Sequence, residues 1–243
     1  MRNNFSVLNV YKKKTKKSKV VTQLLYGESF QKIKKFGPWI SIKNDTDNYK
    51  GFIADNNFPP GCKNTHKITN LSANIYSKPN SRFKLHRMLS FGSKIKVLKT
   101  KGIFCKFDSV WIKKKDLQKI SVTHKEPFYK INKFLNVQYK WGGKHFNGVD
   151  CSALVQIFLN YNNRFCPRDT IDQLKYFKKK IKLTNIRKND LIFWKGHVAI
   201  AISKKMLIHA YGPKKKVVAM PINKTIKLIE KTAKLKVKGI RRI

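Results

Sequence analysis

Cys151, His197 and His209 are the residues of this 243-residue sequence whose types and spacing could do covalent chemistry together. Cys151 opens the run Cys-Ser-Ala-Leu-Val-Gln-Ile-Phe-Leu-Asn-Tyr, which ends at Tyr161 and is apolar nearly all round, as expected of a helix buried against a sheet. Asp150 precedes it, and Gly142, Gly143 and Gly148 lie just upstream, so a loop delivers the chain into the helix at Cys151. A cysteine in a first helical turn meets unpaired backbone N–H groups and the positive end of the helix dipole, and both favour thiolate over thiol. A lone cysteine is as readily a small buried hydrophobe. The two histidines change that reading. They stand at the far ends of two strand-like runs, 197–202 and 206–210, joined by a turn at Ser203-Lys204-Lys205. An antiparallel pair centred on that turn places His197 and His209 opposite each other to within about one register step, with Cβ atoms roughly 5 Å apart. One histidine can then orient the other toward a thiol, the arrangement that covalent catalysis requires.

The elements that position these residues follow from the pattern around them. The segment 121–243 reads as one central helix followed by a meander of strands at 191–194, 197–202 and 206–210, an α+β plan. Upstream, residues 20–66 and 67–120 each read as a small all-β barrel, built from short apolar runs such as Trp39-Ile40 and Val110-Trp111-Ile112 between turn signals. Residues 1–19 read as a basic tail.

Composition bounds the partners. Lysine and arginine number 55 against 12 acidic residues, a formal charge of +43. The basic residues are spread along the whole chain, with neither a stripe interleaved with aromatics nor a helix-turn-helix pattern, so no specific nucleic-acid partner is expected. No apolar stretch has the length of a membrane span or of a signal peptide, and a cytoplasmic location is expected. The cysteines at 62, 105, 151 and 166 form no CxxC pair, which suits isolated thiols. Cys62 and His66 have ligand-like spacing but lack two further ligands, so neither a metal nor any other cofactor is expected.

Five segments taken together resemble the NlpC-type cell-wall cysteine peptidases. They are Tyr139-Lys140-Trp141-Gly142-Gly143, Gly148-Val149-Asp150-Cys151-Ser152, Pro167-Arg168-Asp169, Asp190-Leu191-Ile192-Phe193-Trp194 and Gly196-His197-Val198-Ala199-Ile200. The resemblance implies a papain-like fold that hydrolyses the bond between γ-D-glutamate and a diamino acid in murein peptides. It makes Cys151 the nucleophile, His197 the base and His209 the third polar residue, with Tyr139 beside the oxyanion. Asp150, Ser152, Asp169 and Trp141 match positions that line the substrate site. Both N-terminal segments resemble bacterial SH3-like domains, the first through Leu25-Tyr26-Gly27-Glu28 and Tyr49-Lys50-Gly51-Phe52, and there Glu28 and Tyr49 match positions that close over the amino end of the peptide.

The pairing of SH3-like domains with this peptidase resembles the branch that recycles short murein peptides bearing a free N-terminal L-Ala. Ala153 stands where the family usually has glycine, and Asp169 where it has threonine or serine. Asp169 is the variant associated with recognition of a free amine, and a site selecting an ammonium needs carboxylates that only a cation can satisfy. An exported enzyme acting on intact peptidoglycan, or a lysine-rich anion-binding module, are the alternatives.

Overall fold

In the computed structural model, which describes all 243 residues, the chain divides into two compact units. The first comprises residues 1–123 with 144–146 and 160–163; the second comprises 124–143, 147–159 and 164–243.

The first unit is all-β. Strands Val7–Tyr11, Val20–Leu25, Phe30–Phe36, Trp39–Asn44 and Lys50–Ala54 form one antiparallel sheet around Val10, Leu24, Phe30, Ile40, Ile42 and Ile53. Alternating burial along Trp39–Asn44 is the period-two signature of a half-buried strand. A second module, from His66 to Lys119, pairs a five-stranded sheet with a three-stranded one over Ile68, Ile75, Leu89, Ile95, Phe107 and Ile112.

Two expectations change. Residues 1–19 are not a tail: Val7–Tyr11 pairs with Val20–Leu25 and meets Phe52, and the lysines between the two strands occupy their connecting turn. The alternation Val7, Asn9, Tyr11 against Leu8, Val10 carries that strand, and the neighbouring lysine run obscured it. His66 likewise belongs to the second module, opposite Ile95 and Lys119.

The second unit is α+β. Its main sheet has six antiparallel strands, in the order Lys179–Lys180, Gly239–Arg242, Leu191–Trp194, His197–Ala201, Met206–Tyr211, Lys216–Pro221. Helix α1 spans Cys151–Tyr161, and every residue of it except Asn160 is buried, which explains its nearly all-round apolar sequence. Two helices were not foreseen: α2, Thr170–Tyr176, and α3, Ile222–Ala233. Helix α3 buries Ile222, Thr225 and Ile229, a spacing of three, then four, that the sequence displays. No helix is long and apolar enough to cross a membrane.

Within the first unit, Lys144 and Glu28 form an ion pair with side chains only 1% and 7% exposed. Glu28 also accepts from the backbone N–H of Leu25, and the N–H of Lys144 donates to Gln23. Removing one member of such a pair leaves an unmatched buried charge. Glu28→Gln or Lys144→Met alone is therefore expected to lower unfolding stability in urea by about 3–5 kcal/mol. The double variant should regain much of that loss; single variants within about 1 kcal/mol of wild type would contradict the pair's structural weight.

Candidate active site

Asp150 caps helix α1. Its Oδ1 accepts from the N–H of Ala153 at 2.8 Å, the bond that an N-cap residue makes to the third helical position. The same carboxylate takes two bonds from Arg168, Nη1 to Oδ1 at 3.1 Å and Nη2 to Oδ2 at 2.6 Å, and one from the N–H of Gly142 at 2.9 Å. Ser152 joins through its hydroxyl, donating to Asp150 at 3.2 Å and accepting from Arg168 at 2.9 Å. All three side chains are buried. Gln173 of α2 adds a brace, donating through Nε2 to the carbonyls of Ser152 and Pro167, both at 2.9 Å.

The glycines of the preceding loop are required by geometry. Gly142 has φ +74°, in the left-handed region, while its N–H meets Asp150. A Cβ on Gly143 would lie 2.4 Å from the carbonyl oxygen of Gly148, so only glycine lets the two loop strands approach this closely.

Cys151 is thus the first residue of a tightly capped helix, and it is 6% exposed. Its thiol faces the backbone N–H groups of Ser152 and Val198, which favour thiolate, yet burial outweighs them and, with the Asp150 charge, pushes the thiol up to about 11. The expected pull of the helix N-terminus toward thiolate is present but outweighed: desolvation opposes it here and is the larger effect.

His197 and His209 project from neighbouring strands. The register pairs Ile200 with Ile208 and Ala201 with Leu207, and its continuation sets His197 opposite Tyr211 and His209 opposite Ala199. The histidines are therefore diagonal neighbours on one face, not a direct cross-strand pair, and they still meet, with His197 Nε2 and His209 Nδ1 2.8 Å apart. The ring of Tyr211 stacks on His209 at 4.6 Å and 8°. Burial pulls His197 down to about 4 and His209 to about 3. Both rings are neutral at neutral pH, so one must donate to the other. With His197 donating from Nε2, its Nδ1 keeps a lone pair and His209 carries its proton on Nε2, a buried atom with no hydrogen-bond partner.

The remaining expected residues lie as follows. Tyr139 is half-buried, and its phenol is raised to about 12 by burial, then by the charges of Cys151 and Asp150, so it remains a donor close to the thiol. Trp141 is 64% exposed. Asp169, partly exposed, begins α2, and its carbonyl accepts from the N–H groups of Asp172 and Gln173. Tyr49 is partly exposed in the first unit, where the Glu28 carboxylate is already matched by Lys144. Arg168 and Gln173 were given no role on sequence grounds. The motif Pro167-Arg168-Asp169 contained the signal, since an arginine can bind one carboxylate through two bonds at once. No group of three or more His, Cys, Asp or Glu side chains is placed to hold a metal ion.

Residues 136–233 match the NlpC/P60 family model, and residues 6–58 match the bacterial SH3 domain model. The chain is similar to dipeptidyl-peptidase 6 of Lysinibacillus sphaericus, 32% identical over 77 residues that cover 32% of this chain and 28% of that protein. It is equally similar, 32% over 82 residues, to a probable endopeptidase NlpC homolog of Haemophilus influenzae, covering 32% of this chain and 44% of the relative. The matched stretches thus span less than half of either relative. A crystal structure of an NlpC/P60 family protein from Bacillus cereus superposes with a TM-score of 0.84 at 19% identity, covering 99% of this chain and 98% of the other, which shows the shared fold.

A thiol held at about 11 is expected to be alkylated slowly at neutral pH. The rate of Cys151 modification by iodoacetamide, read by peptide mapping, should climb about tenfold per pH unit from pH 6 to 9, because thiol persists until the pH approaches the raised value. A rate that is flat across that window would mean a preformed thiolate and overturn the neutral-pair description.

Proposed function

We propose that this chain, an NlpC/P60 domain joined to SH3-like modules, is a cysteine peptidase that cuts the γ-D-Glu–diamino acid bond of murein peptides bearing a free N-terminal L-Ala. The observation that carries the reading is Cys151 on a capped helix N-terminus, its thiol against the Gly196 carbonyl and the Val198 N–H that flank His197, with histidines 197 and 209 hydrogen-bonded to each other, in a stretch that matches the NlpC/P60 family model. The similarity to a protein named dipeptidyl-peptidase 6 supports it.

In the proposed reaction His197 Nδ1 takes the thiol proton as Cys151 Sγ attacks the γ-carbonyl carbon. The proton transfer accompanies attack because burial disfavours a standing ion pair. Donors beside the thiol, the backbone N–H of Cys151 and the Tyr139 phenol, receive the oxyanion. The C–N bond then breaks, His197 returns its proton to the leaving amine, and a thioester to Cys151 remains. Water, deprotonated by His197, attacks the thioester carbonyl; the C–S bond breaks and the thiol is restored. His209 accepts from His197 Nε2 and holds the ring in its working tautomer. Asp150, Arg168 and Ser152 hold the helix end in place, and Asp169 supplies the charge that meets the free amine. Glu28 drops out of that role because Lys144 already matches its charge.

The test is hydrolysis of L-Ala-γ-D-Glu-diaminopimelate with mass analysis of the products. Cleavage after D-Glu is expected, with little or none when the N-terminus is acetylated, and Asp169→Ala should lower kcat/KM for the free peptide by about thirtyfold, or about 2 kcal/mol. Equal cleavage of the acetylated peptide or of intact peptidoglycan would replace this reading with that of a wall-lytic endopeptidase.

A further inference from the structure

Beside His197, the second unit contains a groove of about 480 Å³. One end is formed by His197 and Tyr139, the two residues it shares with the catalytic site; Cys151, Ser152 and Asp169 do not line it. Its walls are the α3 face with Leu228 and Ile229 and the turn Gly212-Pro213-Lys214. Two ammonium groups, Lys195 in the turn before His197 and Lys214, are the only charged side chains in its lining, and no carboxylate faces them there. Lys214 is close enough to His209 for its charge to help lower that imidazole.

We infer that this groove receives the leaving diamino acid and that Lys195 and Lys214 select one whose side chain ends in a carboxylate, diaminopimelate, over one that ends only in an ammonium, lysine. The inference rests on the proposed function and deepens it. Direction follows from the chemistry: His197 must protonate the departing nitrogen, so the departing residue passes His197, and the groove is the space entered there. Content follows from the lining. An apolar floor of leucine, isoleucine and alanine suits a polymethylene chain, whereas two exposed lysines attract carboxylates and repel a bare ammonium.

The experiment compares kcat/KM for L-Ala-γ-D-Glu-diaminopimelate and L-Ala-γ-D-Glu-L-Lys. The wild type should prefer the diaminopimelate peptide by about tenfold, the scale of two partly exposed charge contacts. The preference should shrink as salt is raised, since exposed charges are screened. Lys195→Ala/Lys214→Ala should bring the ratio close to one, and Lys214→Glu should push it toward the lysyl peptide. Equal rates on the two peptides in the wild type, or a ratio that the lysine variants leave unchanged, would overturn this inference while leaving the proposed peptidase intact. Failure of the wild type to cut either peptide would instead refute the proposed function, and the groove assignment with it.

Discussion

The site depends on the carboxylate of Asp150. It receives five hydrogen bonds, from the N–H groups of Gly142 and Ala153, the Ser152 hydroxyl and the two Arg168 nitrogens. Those donors come from three separate segments, the Trp-Gly-Gly loop, the first turn of α1 and the approach to α2. A buried ion pair contributes little by itself because desolvation offsets attraction, but one whose remaining lone pairs are satisfied can specify a single local geometry. Here that geometry is the position of Cys151, one residue along. Gln173 extends the same brace from α2.

The electrostatic consequence of such enclosure is a thiol and two imidazoles without standing charge. Water exclusion raises the thiol and lowers both imidazoles, so cysteine, His197 and His209 rest as neutral groups beside a neutralised Asp150–Arg168 pair. In the proposed reaction, negative charge on the sulfur would meet the N–H groups of Ser152 and Val198, which already face the thiol, while the Tyr139 phenol remains protonated as a donor beside it. Electrostatic stabilisation of that kind is most effective when the dipoles need not reorganise.

Much of this was legible in the sequence, for physical reasons that differ by residue. The buried helix beginning at Cys151 showed as a nearly all-round apolar run, and the histidine hairpin showed as two strand patterns about a short polar turn. The diagonal rather than direct pairing of His197 with His209 depends on a register that a two-residue uncertainty in the turn conceals. The family resemblance gave Asp150 as a residue lining the substrate site, and its five partners show that it also caps α1. Burial outweighed the helix dipole at Cys151, a balance that no local pattern displays. The first strand was hidden by the lysines of its own turn, and Glu28 was matched by a lysine 116 positions away.

The central claim is that Cys151 makes the bond. The most direct measurement is interception of the acyl-enzyme by hydroxylamine during turnover of the free murein tripeptide, in the wild type and in Cys151→Ala. A thioester predicts that the wild type yields the hydroxamate of L-Ala-γ-D-Glu in competition with the free acid, and that the folded alanine variant yields neither product. Undiminished hydrolysis by Cys151→Ala, with no hydroxamate from either protein, would contradict it.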